Sequence, residues 1–360
     1  MAGLRVLLDP AKRGREAEML EAKLRERIVG QNEAVRQIVD LYQTFTAGMS
    51  NPGRPVGNLL FLGPTGSGKT RTVEALAECL VGDARAVVKI DCAEFQHGHE
   101  IAKLIGSPPG YLGHRETHPA LSQEALDQFH TEQLKLSFVL FDEIEKASDA
   151  LWNLLLGILD KATLTLGDNR RVDFSHALVF LTSNLGAREM EGMLRPGLGF
   201  APAPAAQEQA VASKMGRMGM EAARRRFTPE FMNRLDKVVV FQPLGDAEMR
   251  HILDIELAEM ELRVQRATGA AGLKFRLDHH AKNLLLAEGT DPRYGARHLK
   301  RAVERLLVQP ISSLLATSQV KDGDQVLVHA DLAGGRLLFL KRFEGSAPQT
   351  KTAAGGTAAA

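Results

Sequence analysis

The sequence predicts an α/β fold, in which a large domain built on a parallel sheet precedes a smaller, mainly helical domain. Three observations lead to this prediction. Five short apolar runs alternate with helical or loop-like stretches across residues 58–241, a pattern typical of parallel strands that are covered on both faces. A glycine-rich turn directly follows the first run, and beyond residues 242–245 the pattern becomes mainly helical.

Length and composition agree with a two-domain protein. At roughly 150 residues per domain, the 360 residues suffice for two domains, and the 44% hydrophobic and 25% charged fractions are ordinary for a folded soluble chain. The net charge of +1 argues against a protein that coats nucleic acid or an anionic membrane. The two cysteines, Cys79 and Cys92, are not spaced as CxxC and predict neither a disulfide nor a zinc site.

The chain contains no run approaching the ~20 apolar residues of a membrane span, and its first residues lack a secretory signal pattern. We therefore expect a cytoplasmic protein without a membrane partner. The predicted large domain covers residues 28–242 and follows a lead-in segment, 1–27. Residues 16–27 of that segment have helical spacing of apolar side chains and predict an amphipathic helix. The apolar runs that predict the strands of the large domain are 59–62, 87–90, 138–141, 178–181 and 238–241.

The predicted small domain covers residues 243–342. Its helical patterns lie at 246–267, 278–287 and 296–317, and two alternating runs around a glycine pair, 325–329 and 336–341, predict a hairpin. Residues 343–360 are rich in alanine, glycine and threonine and predict a disordered tail.

The glycine-rich turn is the strongest functional signal in the sequence. It satisfies the pattern GxxxxGK[ST] and consists of Gly63, Pro64, Thr65, Gly66, Ser67, Gly68, Lys69 and Thr70. Glycines let backbone N–H groups close around phosphate oxygens at the start of a helix, whose dipole favours anions. Lys69 is expected to reach the β and γ phosphates, and the Thr70 hydroxyl is expected to bind Mg²⁺.

A pair of carboxylates forms the second functional signal. The apolar run 138–141 leads directly into Asp142 and Glu143. At a strand end, Asp142 can hold the Mg²⁺ shell, and Glu143 can orient and deprotonate an attacking water. Together with the phosphate loop, the pair predicts hydrolysis of a nucleoside triphosphate.

Three motifs resemble those of a known family. They are FDEIEKA at 141–147, IVGQNEA at 28–34 and DPRYGAR at 291–297. In their order along the chain they resemble the second ATPase module of the Clp unfoldases, ClpA, ClpB and ClpC, over residues 20–341. The resemblance implies an AAA+ parallel-sheet large domain, a Clp-type small domain, and ATP with Mg²⁺ as cofactors.

The resemblance also implies roles for single residues. Ile28 and Val29 would pack against adenine. Asn184 matches the polar sensor that helps to position the attacking water, and Arg297 matches a second sensor that contacts the nucleotide. Arg234 matches the arginine finger that reaches the γ-phosphate of a neighbouring subunit. A finger that acts across a subunit boundary implies a ring, and for this family a homohexamer.

Tyr111 and Leu112 lie between glycines and resemble the pore loop that grips a translocating polypeptide. An aromatic side chain can hold varied sequences by non-directional contact. The alternative is that Tyr111 packs under a loop as a core residue. After His114 the sequence departs from the family, and a longer polar helix is predicted over 122–135.

A tripeptide, Leu198, Gly199 and Phe200, lies where ClpA and ClpC carry a loop that docks on the ClpP peptidase. The resemblance implies that this segment inserts into clefts of a ClpP-type partner. An ordinary loop with one tucked phenylalanine explains the three residues equally well.

The sequence therefore predicts an ATP-driven unfoldase or remodelling chaperone that threads unfolded or tagged polypeptides through a hexameric pore. Two alternative functions remain open. A DNA-directed AAA+ motor would have basic pore residues, and an AAA+ switch that assembles a partner complex would not need Tyr111. Family resemblance alone does not separate these functions.

Overall fold

The computed structural model describes residues 9–10, 12–107, 119–187, 190, 205–268, 273–291, 295–331 and 334–342. Contacts between Cα atoms divide the chain into two compact units. The first contains residues 1–252 and 290–298, and the second contains 253–289 and 299–360. The domain boundaries expected from the sequence, at 27/28 and 242/243, stay predictions.

The first unit contains a five-stranded sheet in the order β2-β3-β6-β1-β7, in which all neighbouring strands are parallel. In chain order the strands of this unit are β1 (Gly57–Leu62), β2 (Val88–Asp91), β3 (Ser137–Asp142), β4 (Thr163–Thr165), β5 (Arg171–Asp173), β6 (Ala177–Ser183) and β7 (Lys237–Val240). Each of the five predicted strands is therefore present, and the predicted α/β class is confirmed.

Helices cover both faces of this sheet. Within the described ranges, the helices that begin before residue 253 are α1 (Arg15–Arg27), α2 (Asn32–Thr46), α3 (Lys69–Val81), α4 (Ala102–Ile105), α5 (Gln123–Asp127), α6 (Asp149–Lys161), α7 (Ala205–Arg226), α8 (Pro229–Met232) and α9 (Asp246–Thr268). Short 3-10 turns occur at Cys92–Glu94, Gly98–Ile101 and Ile144–Lys146. Side chains of α1, α2 and α3 pack in one core cluster, and those of α6 pack in another. All six residues of β1 are buried, as expected for a strand covered on both faces.

Two features of this unit differ from the sequence prediction. The polar helix expected over 122–135 ends at Asp127. Leu126 joins one core cluster, whereas Phe129 and Leu134 pack against the other, so the chain must turn between them. The antiparallel pair β4 and β5 was not predicted, because each strand has three residues and only one buried side chain.

The second unit combines helices with a small mixed sheet in the order β10-β9-β8. Its elements include β8 (Lys274–Leu277), α10 (His279–Gly289), α11 (Ala296–Val303), α12 (Gln309–Ala316), β9 (Gln325–Asp331) and β10 (Arg336–Arg342), and α9 and α11 each have residues in both units. The hairpin of β9 and β10 was predicted, whereas β8, which pairs with β9 in parallel, was not.

The helical pattern expected over 296–317 contains one irregularity. A π turn over Glu304–Val308 lies between α11 and α12. Pro310, two residues after this turn, has no backbone N–H, which explains why the regular ladder is interrupted there. Among the helices in the described ranges, none has the length and apolar character required to cross a membrane.

Candidate nucleotide-binding site

The loop between β1 and α3 has a backbone that requires glycine. Gly63 has φ +142° and Gly68 has φ +99°, values that L side chains rarely adopt. A Cβ atom at Gly63 would lie 2.6 Å from the carbonyl oxygen of Phe241. Gly68 precedes α3, whose first turn supplies unpaired N–H groups and a favourable dipole. The loop therefore fits a bound phosphate chain, and that it binds one stays a prediction.

Lys69 lies beneath this loop and is only 7% exposed. Its Nζ donates to the carbonyl oxygens of Gly63 (2.7 Å) and Pro64 (2.9 Å) and to Oδ1 of Asn184 (2.9 Å). The lysine thereby joins the phosphate loop to the end of β6. The sequence could relate Lys69 to Asn184 only through family resemblance.

Burial lowers the pKa of Lys69 from 10.5 to about 8, because a buried ammonium loses its hydration. Nearby carboxylates, foremost Asp142, oppose this shift, and the positive charge of Arg297 adds to it. Negative phosphate charge beside the lysine would favour its charged form and raise this pKa again.

Asp142 and Thr70 face one another at the carboxyl ends of β3 and the phosphate loop. The Thr70 hydroxyl donates to Oδ2 of Asp142 at 3.3 Å, and the Thr182 hydroxyl donates to the other carboxylate oxygen. A hydroxyl and a carboxylate are the oxygen ligands that Mg²⁺ takes in phosphoryl-transfer sites. Both predicted metal ligands therefore lie together, and the donor set fits Mg²⁺.

Glu143 occupies an unusual backbone conformation, with φ +57° for a residue that is not glycine. Its N–H donates to the Thr182 hydroxyl at 3.0 Å, which holds this conformation in place. Its carboxylate accepts from Nδ2 of Asn184 at 3.2 Å and from the Lys146 ammonium. The Lys146 contact, opposed by burial, lowers the pKa of Glu143. Glu143 is therefore an ionised carboxylate beside the Asn184 amide, as a water-activating group must be.

Gln31 joins the predicted adenine-contacting segment to the phosphate loop. Its side-chain amide donates to the carbonyl oxygens of Ser67 (3.1 Å) and Gln242 (2.8 Å) and accepts from the Gln242 N–H (3.0 Å). Ile28 is 9% exposed and Val29 is half-buried. Sequence reasoning missed Gln31 as a site residue, although it stands inside the motif 28–34.

Arg297 belongs to residues 290–298, which are part of the first compact unit. The neighbouring Ala296 N–H donates to the carbonyl oxygen of Gly66 at 3.2 Å. A Cβ atom at Gly295 would lie 2.8 Å from the same oxygen, so only glycine allows this approach. The charge of Arg297 lowers the pKa values of both Lys69 and Glu143. The structure thus brings the predicted second sensor to the phosphate loop.

Arg234 lies at the amino-terminal end of β1, opposite the end that the phosphate loop follows. Its carbonyl oxygen accepts from the side chains of Asn58 (3.1 Å) and Arg54 (2.9 Å), at the amino-terminal end of β1. Its guanidinium donates to the backbone oxygen of Glu230 at 2.8 Å and to its carboxylate at 3.0 Å. The phosphate loop follows the other end of β1, so Arg234 is not part of the site within its own chain.

Five predicted functional residues, Tyr111, Leu112, Leu198, Gly199 and Phe200, lie outside the described residues. Their roles in a pore loop and in peptidase docking stay predictions.

Comparison with known proteins identifies the family. Residues 54–238 match the family described as AAA domain (Cdc48 subfamily), and residues 244–328 match the C-terminal, D2-small domain of ClpB protein. The chain belongs to the Clp branch of the AAA+ ATPases. This assignment confirms the resemblance drawn from the three motifs and implies that this AAA+ module binds a nucleotide.

Individual relatives agree with this assignment. The chaperone protein ClpB of Corynebacterium diphtheriae is 38% identical over 320 residues, which cover 89% of this chain and 34% of that protein. The ATP-dependent Clp protease ATP-binding subunit ClpA homolog of Cyanidium caldarium is 38% identical over 312 residues, covering 87% and 35%. The solved closed-state structure of Hsp104 with ATPγS and FITC casein has a TM-score of 0.71 and 28% identity, covering 91% of this chain and 52% of that one.

This AAA+ module spans about a third of the length of the curated relatives it matches. The match therefore establishes the kind of module, whereas the activity, substrates and partners of the longer relatives come to this chain only as proposals.

Proposed function

We propose that this AAA+ module hydrolyses Mg-ATP and uses the energy to unfold or remodel polypeptides as a homohexameric ring. The observation that carries the proposal is the arrangement of three side chains around the phosphate loop. Asn184 accepts from Lys69 at 2.9 Å and donates to Glu143 at 3.2 Å. The amide therefore joins the group that binds phosphate to the group that acts on water.

Each residue of the site has a chemical task in this proposal. Glu143 orients the attacking water and accepts its proton, and Asn184 fixes that water beside the γ-phosphate. Lys69 and Arg297 stabilise negative charge on the phosphate oxygens. Thr70 and Asp142 would hold Mg²⁺, which neutralises part of the charge that develops during phosphoryl transfer. Ile28 and Val29 supply the apolar wall for adenine.

Arg234 completes the site from a second copy of the chain. Its position at the amino-terminal edge of β1 places it away from its own phosphate loop. A guanidinium that reaches a neighbouring γ-phosphate can supply ~10³ to 10⁵ in rate. Hydrolysis would then depend on the ring, which is the basis for proposing a homohexamer.

The names of the relatives support a polypeptide substrate. Several are named chaperone protein ClpB, and the Hsp104 structure contains FITC casein. We propose that Tyr111 and Leu112 grip the threaded chain.

The Cyanidium relative is named as an ATP-binding subunit of the Clp protease, which supports docking of a ClpP-type peptidase at 198–200, whereas the ClpB relatives are named as chaperones. The names of these relatives mention neither DNA nor the assembly of a partner complex. A cytoplasmic location stays a prediction.

The variant Glu143→Gln tests the hydrolytic proposal. Loss of the proton acceptor is expected to lower kcat for ATP by ~10²-fold or more, while the affinity for ADP stays within about twofold because the phosphate loop is unchanged. Steady-state ATPase assays and calorimetric titration with ADP measure the two quantities. Glu124→Gln removes an exposed carboxylate that lies 3.5 Å from Arg170 and serves as the matched control.

Normal turnover by Glu143→Gln would refute the proposed chemistry. Threading is tested separately by ATP-dependent unfolding of a tagged fluorescent protein, with and without a ClpP-type peptidase. Tyr111→Ala is expected to stop unfolding while ATP hydrolysis continues. Unchanged unfolding by that variant would refute the gripping role of Tyr111, whereas no unfolding by the wild type under either condition would favour the assembly-switch alternative.

A further inference from the structure

A third carboxylate, Glu145, lies beside the site but has no role in the hydrolytic chemistry proposed for it. It belongs to the 3-10 turn Ile144–Lys146, which Ile144 anchors in the core. Oε1 of Glu145 accepts from the backbone N–H of Asn184 at 3.1 Å. The carbonyl oxygen of Glu145 accepts from Nη2 of Arg226 at 3.0 Å, so the turn is also held from α7.

The backbone of Asn184 decides where its amide lies. The amide must meet Lys69 with its oxygen and Glu143 with its nitrogen at the same time. Asn184 directly follows β6, where the sheet ladder no longer fixes the backbone. Only two side-chain bonds separate the amide carbon from Cα, so a displaced backbone displaces the amide almost equally. A shift of ~1 Å in a positioning group can cost about 10²-fold in rate.

A purely stabilising role does not explain this carboxylate well. Oε2 of Glu145 is buried and has no hydrogen-bond partner within the described part of the chain. Buried carboxylate oxygens without a partner are costly to a fold, and such costs are typical of functional sites.

We propose that Glu145 is a positioning residue for ATP hydrolysis, which holds the backbone of Asn184 so that its amide spans Lys69 and Glu143. The proposal rests on the proposed hydrolytic function of the module. Glu145 itself does not touch the reacting atoms, and its effect on the reaction passes through Asn184.

Three substitutions of Glu145 in the full chain separate reach from charge. Glu145→Ala removes the acceptor, and Glu145→Asp keeps the charge but shortens the side chain by one methylene. Both are expected to lower kcat by ~10-fold or more, with KM for ATP and affinity for ADP within about twofold. Glu145→Gln keeps an oxygen acceptor at the same distance and is expected to retain kcat within about threefold at saturating ATP and pH 7.

A double-mutant cycle identifies the route through Asn184. If Glu145 acts only by holding Asn184, then Glu145→Ala combined with Asn184→Ala is expected to have the same kcat as Asn184→Ala alone. If the fold losses of kcat from the two substitutions multiply in the double variant, or if Glu145→Ala has the wild-type kcat, the proposal is overturned. Circular dichroism verifies that the variants fold. If Glu145→Ala fails to fold, the kcat values of Glu145→Asp and Glu145→Gln decide. A kcat of Glu145→Asp equal to or higher than that of Glu145→Gln would overturn the proposal.

The reference variant Glu143→Gln separates the two levels of inference. If it turns over ATP normally, or if the wild type has no ATPase activity, the proposed function fails and this proposal fails with it. If Glu143→Gln is inactive while Glu145→Ala and Glu145→Asp retain the wild-type rate, only the role of Glu145 is refuted.

Discussion

The buried lysine of the phosphate loop makes nucleotide binding depend on pH in a calculable way. Burial lowers the pKa of Lys69 to about 8 in the nucleotide-free protein. A bound phosphate chain favours the charged form and therefore raises this pKa again. Binding must then take up a proton whenever the free lysine is neutral. The neutral fraction, and hence the uptake per bound nucleotide, is about 0.1 at pH 7, about 0.5 at pH 8 and about 0.9 at pH 9.

The same arithmetic gives the loss of affinity. With a free-state pKa of about 8, the dissociation constant rises with the neutral fraction and is about tenfold higher at pH 9 than at pH 7. Titration calorimetry with Mg-ADP, in buffers that differ in ionisation enthalpy, measures both affinity and proton uptake. The phosphates of the nucleotide have pKa values near or below ~6, so they are almost fully ionised at about pH 8 and above and contribute little proton exchange there.

Two variants assign the effect to Lys69. Lys69→Arg introduces a guanidinium that stays charged throughout this range, so any binding that remains is expected to proceed without proton uptake. Lys89→Met removes an exposed lysine that pairs with Glu74 at 3.5 Å and is expected to leave the uptake unchanged. Binding by the wild type at pH 9 without proton uptake would refute the reasoning that burial makes this lysine a weak base.

Two glycine substitutions test the backbone of the site. Gly63→Ala places a Cβ atom 2.6 Å from the carbonyl oxygen of Phe241 at φ +142°, so we expect the free energy of unfolding in urea titrations to fall by about 1–3 kcal/mol. The control is Gly216→Ala in α7, where nothing lies within 4 Å of the added atom. Gly295→Ala places a Cβ atom 2.8 Å from the Gly66 oxygen and is expected to weaken Mg-ADP binding by about tenfold, with an unchanged affinity speaking against the contact.

Much of the fold and of the site is encoded locally and could be read from the sequence. The strands of the parallel sheet are predictable because burial on both faces requires continuous apolar runs such as residues 59–62. The phosphate loop is predictable because its glycines and Lys69 stand in one short pattern. Asn184 and Arg297 required family resemblance, because nothing in their immediate neighbourhood distinguishes them from ordinary polar residues.

The features that sequence reasoning missed depend on contacts between distant parts of the chain. Gln31 acquires its role from Gln242, 211 residues away, and Glu145 acquires its role from Asn184, 39 residues away. Strand β8 has one buried side chain, Phe275, and is a strand only because β9 lies beside it. The helix after Ser122 ends early because its side chains divide between two cores, so packing overrides helix propensity.

The direction of β1 bears on the proposed ring. The strand has six residues, which at about 3.3 Å each separate its ends by roughly 17 Å. The phosphate loop leaves its carboxyl end, and Arg234 is bonded to Asn58 near its amino end. That separation exceeds the reach of an arginine side chain, so a role for Arg234 at a γ-phosphate needs the site of another copy.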